Sequence, residues 1–257
     1  MRFLQLLLMA VASLFAWSVV PAQAATPAET HAAAERLNLK ADDGVAIYGL
    51  YYRAMHPKAL ILLFRQADSS KDEYAEIAPR LVGAGYSALA IDQRSGGRLF
   101  GRNETAAKLG RPATYLDAKR DLEAALAWGE QQGSPVILWG SSYSASLVFL
   151  LAAEHPQSVK TVLAFSPGEY LEKPGTVRET AAHVTTPVFV TSSSDAEEIS
   201  TARSILAASP AEIKEQYVPK QGGVHGSSTL LVSHNPKGAI ANWQAVLSFI
   251  ARVVGSS

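Results

Sequence analysis

The stretch Trp139–Ala145, in single letters WGSSYSA, decides the fold of this chain. Immediately before it lies the apolar run Pro135–Trp139, and immediately after it Ala145–Glu154 is rich in leucine and alanine. The first run has the length of a buried strand and the second has the composition of a buried helix. The sequence therefore predicts a strand, a tight turn at Ser142 and a helix.

The same alternation extends outward in both directions. Two extended stretches between Leu37 and Ala54, separated by the turn residues Asp42–Gly44, predict an antiparallel hairpin. Beyond it, strands alternate with helices up to Val254; the predicted strands are Ala59–Phe64, Ser87–Ile91, Pro135–Trp139, Val159–Phe165, Pro187–Thr191 and Glu212–Val218, and the predicted helices are Glu73–Ala84, Tyr115–Gln131, Ala145–Glu154, Ala196–Ala208 and Trp243–Val254. This order predicts a mostly parallel, doubly wound α/β sheet flanked by helices. Ligands bind such a sheet beyond the carboxyl ends of its strands.

The first residues predict export. Met1 and Arg2 give a short positive start, Phe3–Val20 is apolar, and Ala22–Ala24 offers the small residues that signal peptidase prefers. We therefore expect a signal peptide over residues 1–24, a tether over 25–36 and one domain without a cap over 37–257, in the periplasm or secreted. An uncleaved membrane anchor is the alternative.

The composition limits the classes of partner. The chain has 23 basic and 23 acidic residues and a formal net charge of +0, so no global field attracts nucleic acid or an anionic membrane. Hydrophobic residues make up 48% against 18% charged, which is enough for a large core. With 0 cysteines, a cysteine nucleophile, a disulfide and a thiolate zinc site are excluded. A small-molecule substrate is the expected partner, and the oligomeric state is left open.

Ser142 has the setting of a nucleophile. A serine on a strained strand-to-helix turn needs small residues two before and two after it, because the two backbones nearly touch there. Gly140 and Ser144 meet that need, although the pattern is G-x-S-x-S and not the commoner G-x-S-x-G. An ordinary serine-rich turn would explain the motif alone, so a base and an acid must also be found.

The base and the acid are sought by chain order, because a serine nucleophile on such a strand-to-helix turn is followed in the chain first by its acid and then by its histidine. His225 lies in a glycine-rich loop after the predicted last strand, whereas the later His234 lies in a polar turn. We predict His225 as the base. Asp195 stands just past the strand Pro187–Thr191 and is the predicted acid. The alternatives are Glu197 or Glu198, with Asp195 a mere helix N-cap.

At this point the chain resembles the α/β-hydrolase superfamily, in particular small capless esterases similar to dienelactone hydrolases. The resemblance covers Leu37–Val254 and is carried, besides the serine turn, by Leu63–Ser70, Ala90–Gly97 and Val224–Gly226. It implies acyl transfer to water through a Ser-His-Asp triad and an acyl-enzyme, with no metal or organic cofactor. It also implies an oxyanion hole formed by the backbone N–H groups of Tyr143 and Ala67.

One departure from these relatives concerns the loop after the third strand. Arg65 and Gln66 stand where many relatives have a histidine and a glycine. Arg65 is a possible contact for a substrate carboxylate, but it could equally brace its loop. Asp92 and Arg94 at the same edge are expected to fix the following loop by hydrogen bonds.

The sequence thus predicts an exported serine hydrolase that cleaves a carboxylic ester. A peptidase or amidase on the same fold is the first alternative, since the same triad serves both. A noncatalytic envelope protein that binds a ligand is the second; Arg65 and Gln66 favour it, and the order of the three triad candidates opposes it.

Overall fold

A single eight-stranded sheet runs through residues 33–255, the part of the chain that the computed structural model describes. The strand order is β1-β2-β4-β3-β5-β6-β7-β8, with β1 to β2 and β2 to β4 antiparallel and all other neighbours parallel. The strands are β1 (Ala34–Lys40), β2 (Ala46–Tyr52), β3 (Leu60–Phe64), β4 (Ser87–Ile91), β5 (Val136–Ser141), β6 (Val159–Phe165), β7 (Val188–Thr191) and β8 (Lys214–Tyr217). The predicted mostly parallel, doubly wound α/β class is confirmed.

Seven α-helices lie within the described residues: α1 (Ile77–Gly83), α2 (Glu104–Leu109), α3 (Lys119–Glu130), α4 (Tyr143–Glu154), α5 (Thr176–Ala181), α6 (Ala196–Ala208) and α7 (Ala239–Val254). The sequence missed α2 and α5, because six residues carry too little hydrophobic periodicity to be seen. Short 3₁₀ turns occupy Lys71–Tyr74 and Gly226–Leu230.

The predicted domain boundary needs a correction. Strand β1 begins at Ala34 and pairs with β2, so residues 34–36 belong to the sheet and not to a tether. The described residues, 33–255, belong to one compact unit. The predicted signal peptide, residues 1–24, and most of the predicted tether lie outside the described residues. Within residues 33–255, no helix has the length and apolar character needed to cross a membrane.

The core forms two layers, one on each face of the sheet. Along β3, Leu60, Leu62 and Phe64 contact the layer beneath α3 to α6, while Ile61 and Leu63 contact the layer beneath α1 and α7. Because both faces are covered, all five residues are buried and the strand is apolar without interruption. The parallel strands consequently end together at one edge, where the loops after β3, β5, β7 and β8 meet.

Candidate active site

The turn at Ser142 has the strained geometry expected of a serine nucleophile. Ser142 has φ 58° and ψ −123°, follows β5 and stands at the N-cap of α4. A Cβ on Gly140 would lie 2.6 Å from the Cα of Ala145, so only glycine fits where the strand and the helix touch. The side chain of Ser142 is therefore held at the start of α4, where the peptide dipoles favour an anion.

His225 joins this serine to a carboxylate. Its Nε2 lies 2.8 Å from Ser142 Oγ, and its Nδ1 lies 2.9 Å from Oε1 of Glu198. His225 and Glu198 are 39% and 26% exposed at their side chains, so water reaches both. The contact between Ser142 and His225 is the predicted one, and His234 lies elsewhere, with its ring against Phe100.

The carboxylate that contacts His225 belongs to Glu198 and not to the predicted Asp195. Asp195 does not contact His225: its carboxylate caps α6 by accepting hydrogen bonds from the N–H groups of Glu197 and Glu198, at 2.9 and 3.1 Å. Glu198 stands one turn into the helix, and its other oxygen accepts the N–H of Ser193 at 3.1 Å. The spacing Asp195-x-x-Glu198 is that of a capping box, but Glu198 accepts the N–H of Ser193, two residues before the N-cap, while the N–H of Asp195 donates to Ser193 Oγ. Here the side chain of Glu198 also reaches the histidine.

The surroundings of Glu198 keep it ionised. Burial would raise the pKa of this carboxyl, but hydrogen bonds from His225, from the Ser166 side chain and from the backbone of Ser193 outweigh burial and lower the pKa to about 2. The hydroxyl of Ser166 also accepts the N–H of Gly226 at 2.9 Å. Ser166 thus ties the loop of His225 to the acid, and it does so with a positive φ of 54°.

A second group of side chains fixes the loop after β3 by hydrogen bonds to the backbone of Arg65. We call Arg65, Gln93 and Ser144 the brace. Ser144 Oγ donates to the carbonyl of Arg65 at 2.5 Å and accepts from Nε2 of Gln93 at 2.7 Å. Oε1 of Gln93 accepts the N–H of Arg65 at 3.0 Å, which closes a ring of hydrogen bonds. The unusual serine of the G-x-S-x-S pattern is therefore the link between the nucleophile turn and this loop.

The brace leaves one backbone N–H of the loop available. The N–H of Arg65 is taken by Gln93, and the N–H of Gln66 donates to Oε2 of the buried Glu73 at 2.9 Å. For the next residue, Ala67, no hydrogen bond of the N–H occurs within residues 33–255. The N–H of Tyr143 lies in the first turn of α4, where helical N–H groups have no partner inside the helix. Both predicted donors are thus compatible with an oxyanion hole.

Arg65 itself is not placed to meet a substrate. Its guanidinium is fully buried and donates to the carbonyls of Gln66 at 2.8 Å and Gln93 at 2.7 Å. The predicted role as a possible substrate contact is therefore wrong, and the alternative, a brace of the loop, is the observed one. Arg94 fixes the loop after β4 as predicted, through its pairs with Asp43 and Asp121. Asp92 also has a structural role, but it accepts the N–H groups of Lys71 and Glu104, which lie outside that loop.

One group of possible metal ligands occurs among residues 33–255, and it is remote from the triad. Glu123, Glu154 and His155 lie near one another at the far end of α4. The ammonium of Lys119 already bonds both carboxylates, at 2.6 and 2.5 Å. A cation at this position would have to displace or lie beside the ammonium of Lys119, which already bonds both carboxylates.

The fold and the site define the class: a serine hydrolase with the α/β-hydrolase fold. Residues 55–218 match the model of the Hydrolase_4 family, described as serine aminopeptidase, S33. The match spans more than half of the chain, so the protein belongs to this family. It ends before His225, whose place rests on the geometry above.

Solved structures share the same architecture. An esterase of Pyrococcus furiosus is 18% identical, with a TM-score of 0.68 over 89% of this chain and 96% of that one. A dienelactone hydrolase from Anabaena variabilis is 17% identical, with a TM-score of 0.67 over 86% and 98%. A thermostable carboxyl esterase from Bacillus coagulans is 12% identical, with a TM-score of 0.66 over 86% and 99%. A search of curated protein sequences found no match to this chain.

Sequence reasoning missed several residues of the site. Gln93 and Ser166 are polar residues at strand ends, where the pattern predicts a loop but no specific contact. The sequence predicts Glu73 at the start of an amphipathic helix, but Glu73 lies in the 3₁₀ turn Lys71–Tyr74 and is buried, and burial raises the pKa of its carboxyl. Glu198 was not missed, since it was one of the stated alternatives for the acid; the spacing Asp195-x-x-Glu198, which is that of a capping box, favours it over Glu197.

Proposed function

We propose that this protein hydrolyses carboxylic esters through a triad of Ser142, His225 and Glu198. The observation that carries the proposal is the continuous chain of contacts from Ser142 Oγ through both ring nitrogens of His225 to Glu198. A serine hydroxyl becomes an effective nucleophile when a positioned base takes its proton. These contacts support a triad of the serine-hydrolase type, with glutamate in place of the predicted aspartate.

The mechanism follows from these positions. His225 Nε2 takes the proton of Ser142 as Oγ attacks the ester carbonyl carbon, and Glu198 stabilises the resulting imidazolium. The developing oxyanion is bound by the N–H groups of Tyr143 and Ala67. His225 then gives the proton to the leaving alcohol oxygen, and an acyl-enzyme on Ser142 remains. In the second half of the reaction His225 takes a proton from water as the water oxygen attacks the acyl carbon, and it then returns that proton to Ser142 Oγ.

The surface beside the triad favours an uncharged substrate. A groove of about 260 Å³ reaches the site at Tyr170, whose ring meets that of His225, and is lined by Ala113, Thr114, Tyr115, Leu116, Tyr170, Leu171 and the anionic Glu172. With Arg65 buried in the brace, a cationic partner for a substrate carboxylate is not supplied from that position. We therefore propose an ester with a small apolar group as the substrate class.

A peptidase is the second candidate, because the matching family is described as serine aminopeptidase. The two functions separate with a panel of p-nitrophenyl esters and aminoacyl p-nitroanilides. We expect turnover of short-chain esters and little turnover of anilides; the reverse preference would favour the peptidase.

The activated serine is tested by labelling with a fluorophosphonate and by intact mass. Wild type should gain one label, and Ser142→Ala and His225→Ala should gain none while their circular dichroism and thermal unfolding stay close to wild type. Esterase activity should fall by about 10⁵ to 10⁶ in kcat with Ser142→Ala. A folded wild type that neither labels nor cleaves any ester or anilide would overturn catalysis in favour of ligand binding.

We propose further that the protein is exported and that residues 1–24 are removed. The support is the positive start, the apolar run and the small residues at Ala22 and Ala24. The mass of the mature protein from periplasm and medium tests this. A mature chain that begins near Ala25 is expected, and full-length protein held in the membrane fraction would favour the anchor instead.

A further inference from the structure

Tyr170 stands on the opposite side of the nucleophile from the oxyanion donors. In the sheet, β5 lies between β3 and β6. Ala67 follows β3, so it approaches Ser142 from one side, and Tyr170 follows β6, so it approaches from the other. The ring of Tyr170 meets the ring of His225 edge-on, with centroids 6.5 Å apart and an interplanar angle of 79°.

The hydroxyl of Tyr170 is available as a hydrogen-bond donor. Burial raises the pKa of the phenol to about 12, the carboxylate of Glu198 adds to the rise, and a hydrogen bond with the Ser142 hydroxyl acts against it. The phenol therefore keeps its proton at neutral pH. Its O–H points to the carbonyl of Ser166 at 3.3 Å, longer than the 2.7 to 2.8 Å usual for a strong O–H···O bond. A closer acceptor can therefore replace this bond at little cost.

The chain around Tyr170 is shaped to bring the ring there. Gly168 lies under the ring, and a Cβ at residue 168 would be 2.6 Å from Cζ and 3.0 Å from the hydroxyl oxygen of Tyr170. The carbonyl of Gly168 accepts a hydrogen bond from Ser146 of α4 at 2.5 Å. The loop is thus fixed to the helix that carries the nucleophile, and its glycine allows the tyrosine to lie over the active site.

We infer that Tyr170 is a further catalytic residue, which donates a hydrogen bond from its hydroxyl to the leaving alcohol oxygen of the substrate. The inference rests on the ester hydrolysis proposed above. As the tetrahedral intermediate collapses, the bond between the carbonyl carbon and that oxygen breaks and the electron pair stays on the oxygen. The oxygen takes the proton held on His225 Nε2, while Tyr170 keeps its own proton and stabilises the charge that develops.

The test compares two esters of one acid that differ only in the leaving group. p-Nitrophenyl butyrate has a good leaving group and needs little help, whereas ethyl butyrate releases a strongly basic alkoxide. With Tyr170→Phe we expect kcat/KM for ethyl butyrate to fall by about 10- to 100-fold and for p-nitrophenyl butyrate by less than about 3-fold. The matched control is Tyr86→Phe, a buried tyrosine before β4 at the other edge of the sheet, which should leave both values unchanged.

A second variant moves the hydroxyl without removing it. Gly168→Ala should displace the ring and reproduce the selective loss on ethyl butyrate, and the double variant Gly168→Ala/Tyr170→Phe should lose no more than Tyr170→Phe alone. Equal losses on both esters, no loss on either, or additive losses in the double variant would overturn the role of Tyr170. A wild type that labels with a fluorophosphonate but cleaves neither ester would overturn the proposed ester hydrolysis, and the role of Tyr170 with it.

Discussion

The two sides of Ser142 are built in different ways. On the side of β3 and β4, the brace of Arg65, Gln93 and Ser144 is buried and closed by hydrogen bonds. On the side of β7 and β8, Glu198 and His225 are partly exposed and meet through one contact between a carboxylate and an imidazole. Groups that only hold a backbone in place can be sealed from water, while groups that pass protons to a substrate and to water must remain within reach of both.

The largest difference in kcat should be that between variants of Glu198 and of Asp195, on the partly exposed side of β7 and β8. We expect Glu198→Ala to lower kcat by about 10⁴, because His225 loses the group that orients it and stabilises its charge. Asp195→Ala should stay within about 3-fold of wild type in kcat and lose about 1 kcal/mol of unfolding free energy, the usual cost of an N-cap. Steady-state kinetics with p-nitrophenyl butyrate and urea unfolding of both variants make the comparison. If Asp195→Ala lost most of its kcat and Glu198→Ala kept the kcat of wild type, Asp195 would be the triad acid, as predicted from sequence.

A smaller loss of kcat should come from a change in the buried brace, on the side of β3 and β4. Ser144→Ala removes the hydroxyl that links Arg65 to Gln93, so the loop that carries Ala67 loses its fixed position. We expect kcat to fall by about 10- to 100-fold with little change in KM, since a small displacement of an oxyanion donor weakens binding of the transition state alone.

The matched control for this variant is Ser209→Ala. Ser209 is also buried, and its hydroxyl also donates to a carbonyl, that of Val184, and accepts from an N–H, that of Ala211. Both variants should lose about 1 kcal/mol of unfolding free energy. If the two variants had the same kcat, Ser144 would have only a structural role.

The smallest effect should be a change in unfolding free energy from Asp43, which pairs with Arg94 after β4. A hydrogen bond from Arg94 lowers the pKa of Asp43 to about 2, against burial. A carboxyl whose pKa is lower in the folded state stabilises it above the unfolded pKa, near 3.8, and this contribution is lost as the pH falls through about 2. Asp43→Asn should therefore lose less than about 1 kcal/mol at pH 7, because the pair is partly exposed, and should flatten the pH dependence of unfolding between about pH 4 and 2. Urea unfolding at pH 7, 4 and 2.5 measures it; an unchanged pH dependence would contradict the assignment.

The centre of the sheet could be predicted because β3 to β7 are largely apolar runs that are buried on both faces. The predicted bounds match the structure for two strands, Ser87–Ile91 and Val159–Phe165, and for one helix, Ala196–Ala208. The contact of Ser142 with His225 could be predicted because parallel strands bring their carboxyl ends to one edge whatever the loops contain. The short helices α2 and α5 could not, since their formation depends on contacts with the rest of the fold.

The acid shows where sequence reasoning ends. Asp195, Glu197 and Glu198 are all close enough along the chain to reach the histidine loop, and the sequence left the choice open after preferring the first. The structure decides it because a helix turns by about 100° per residue. Capping fixes the carboxylate of Asp195 on the backbone of α6, and the turn of the helix aims Glu198 at His225.

The sequence by itself determined the succession of the strands and longer helices along the chain, the strained turn at Ser142 and the histidine that contacts it, because these follow from local periodicity and from chain order. Only the tertiary structure decided that Glu198 and not Asp195 contacts His225, that Arg65 is buried in the brace and that the ring of Tyr170 meets that of His225. Each of these depends on the direction of a side chain relative to elements distant in sequence, and that direction is set by packing and hydrogen bonding in the folded chain.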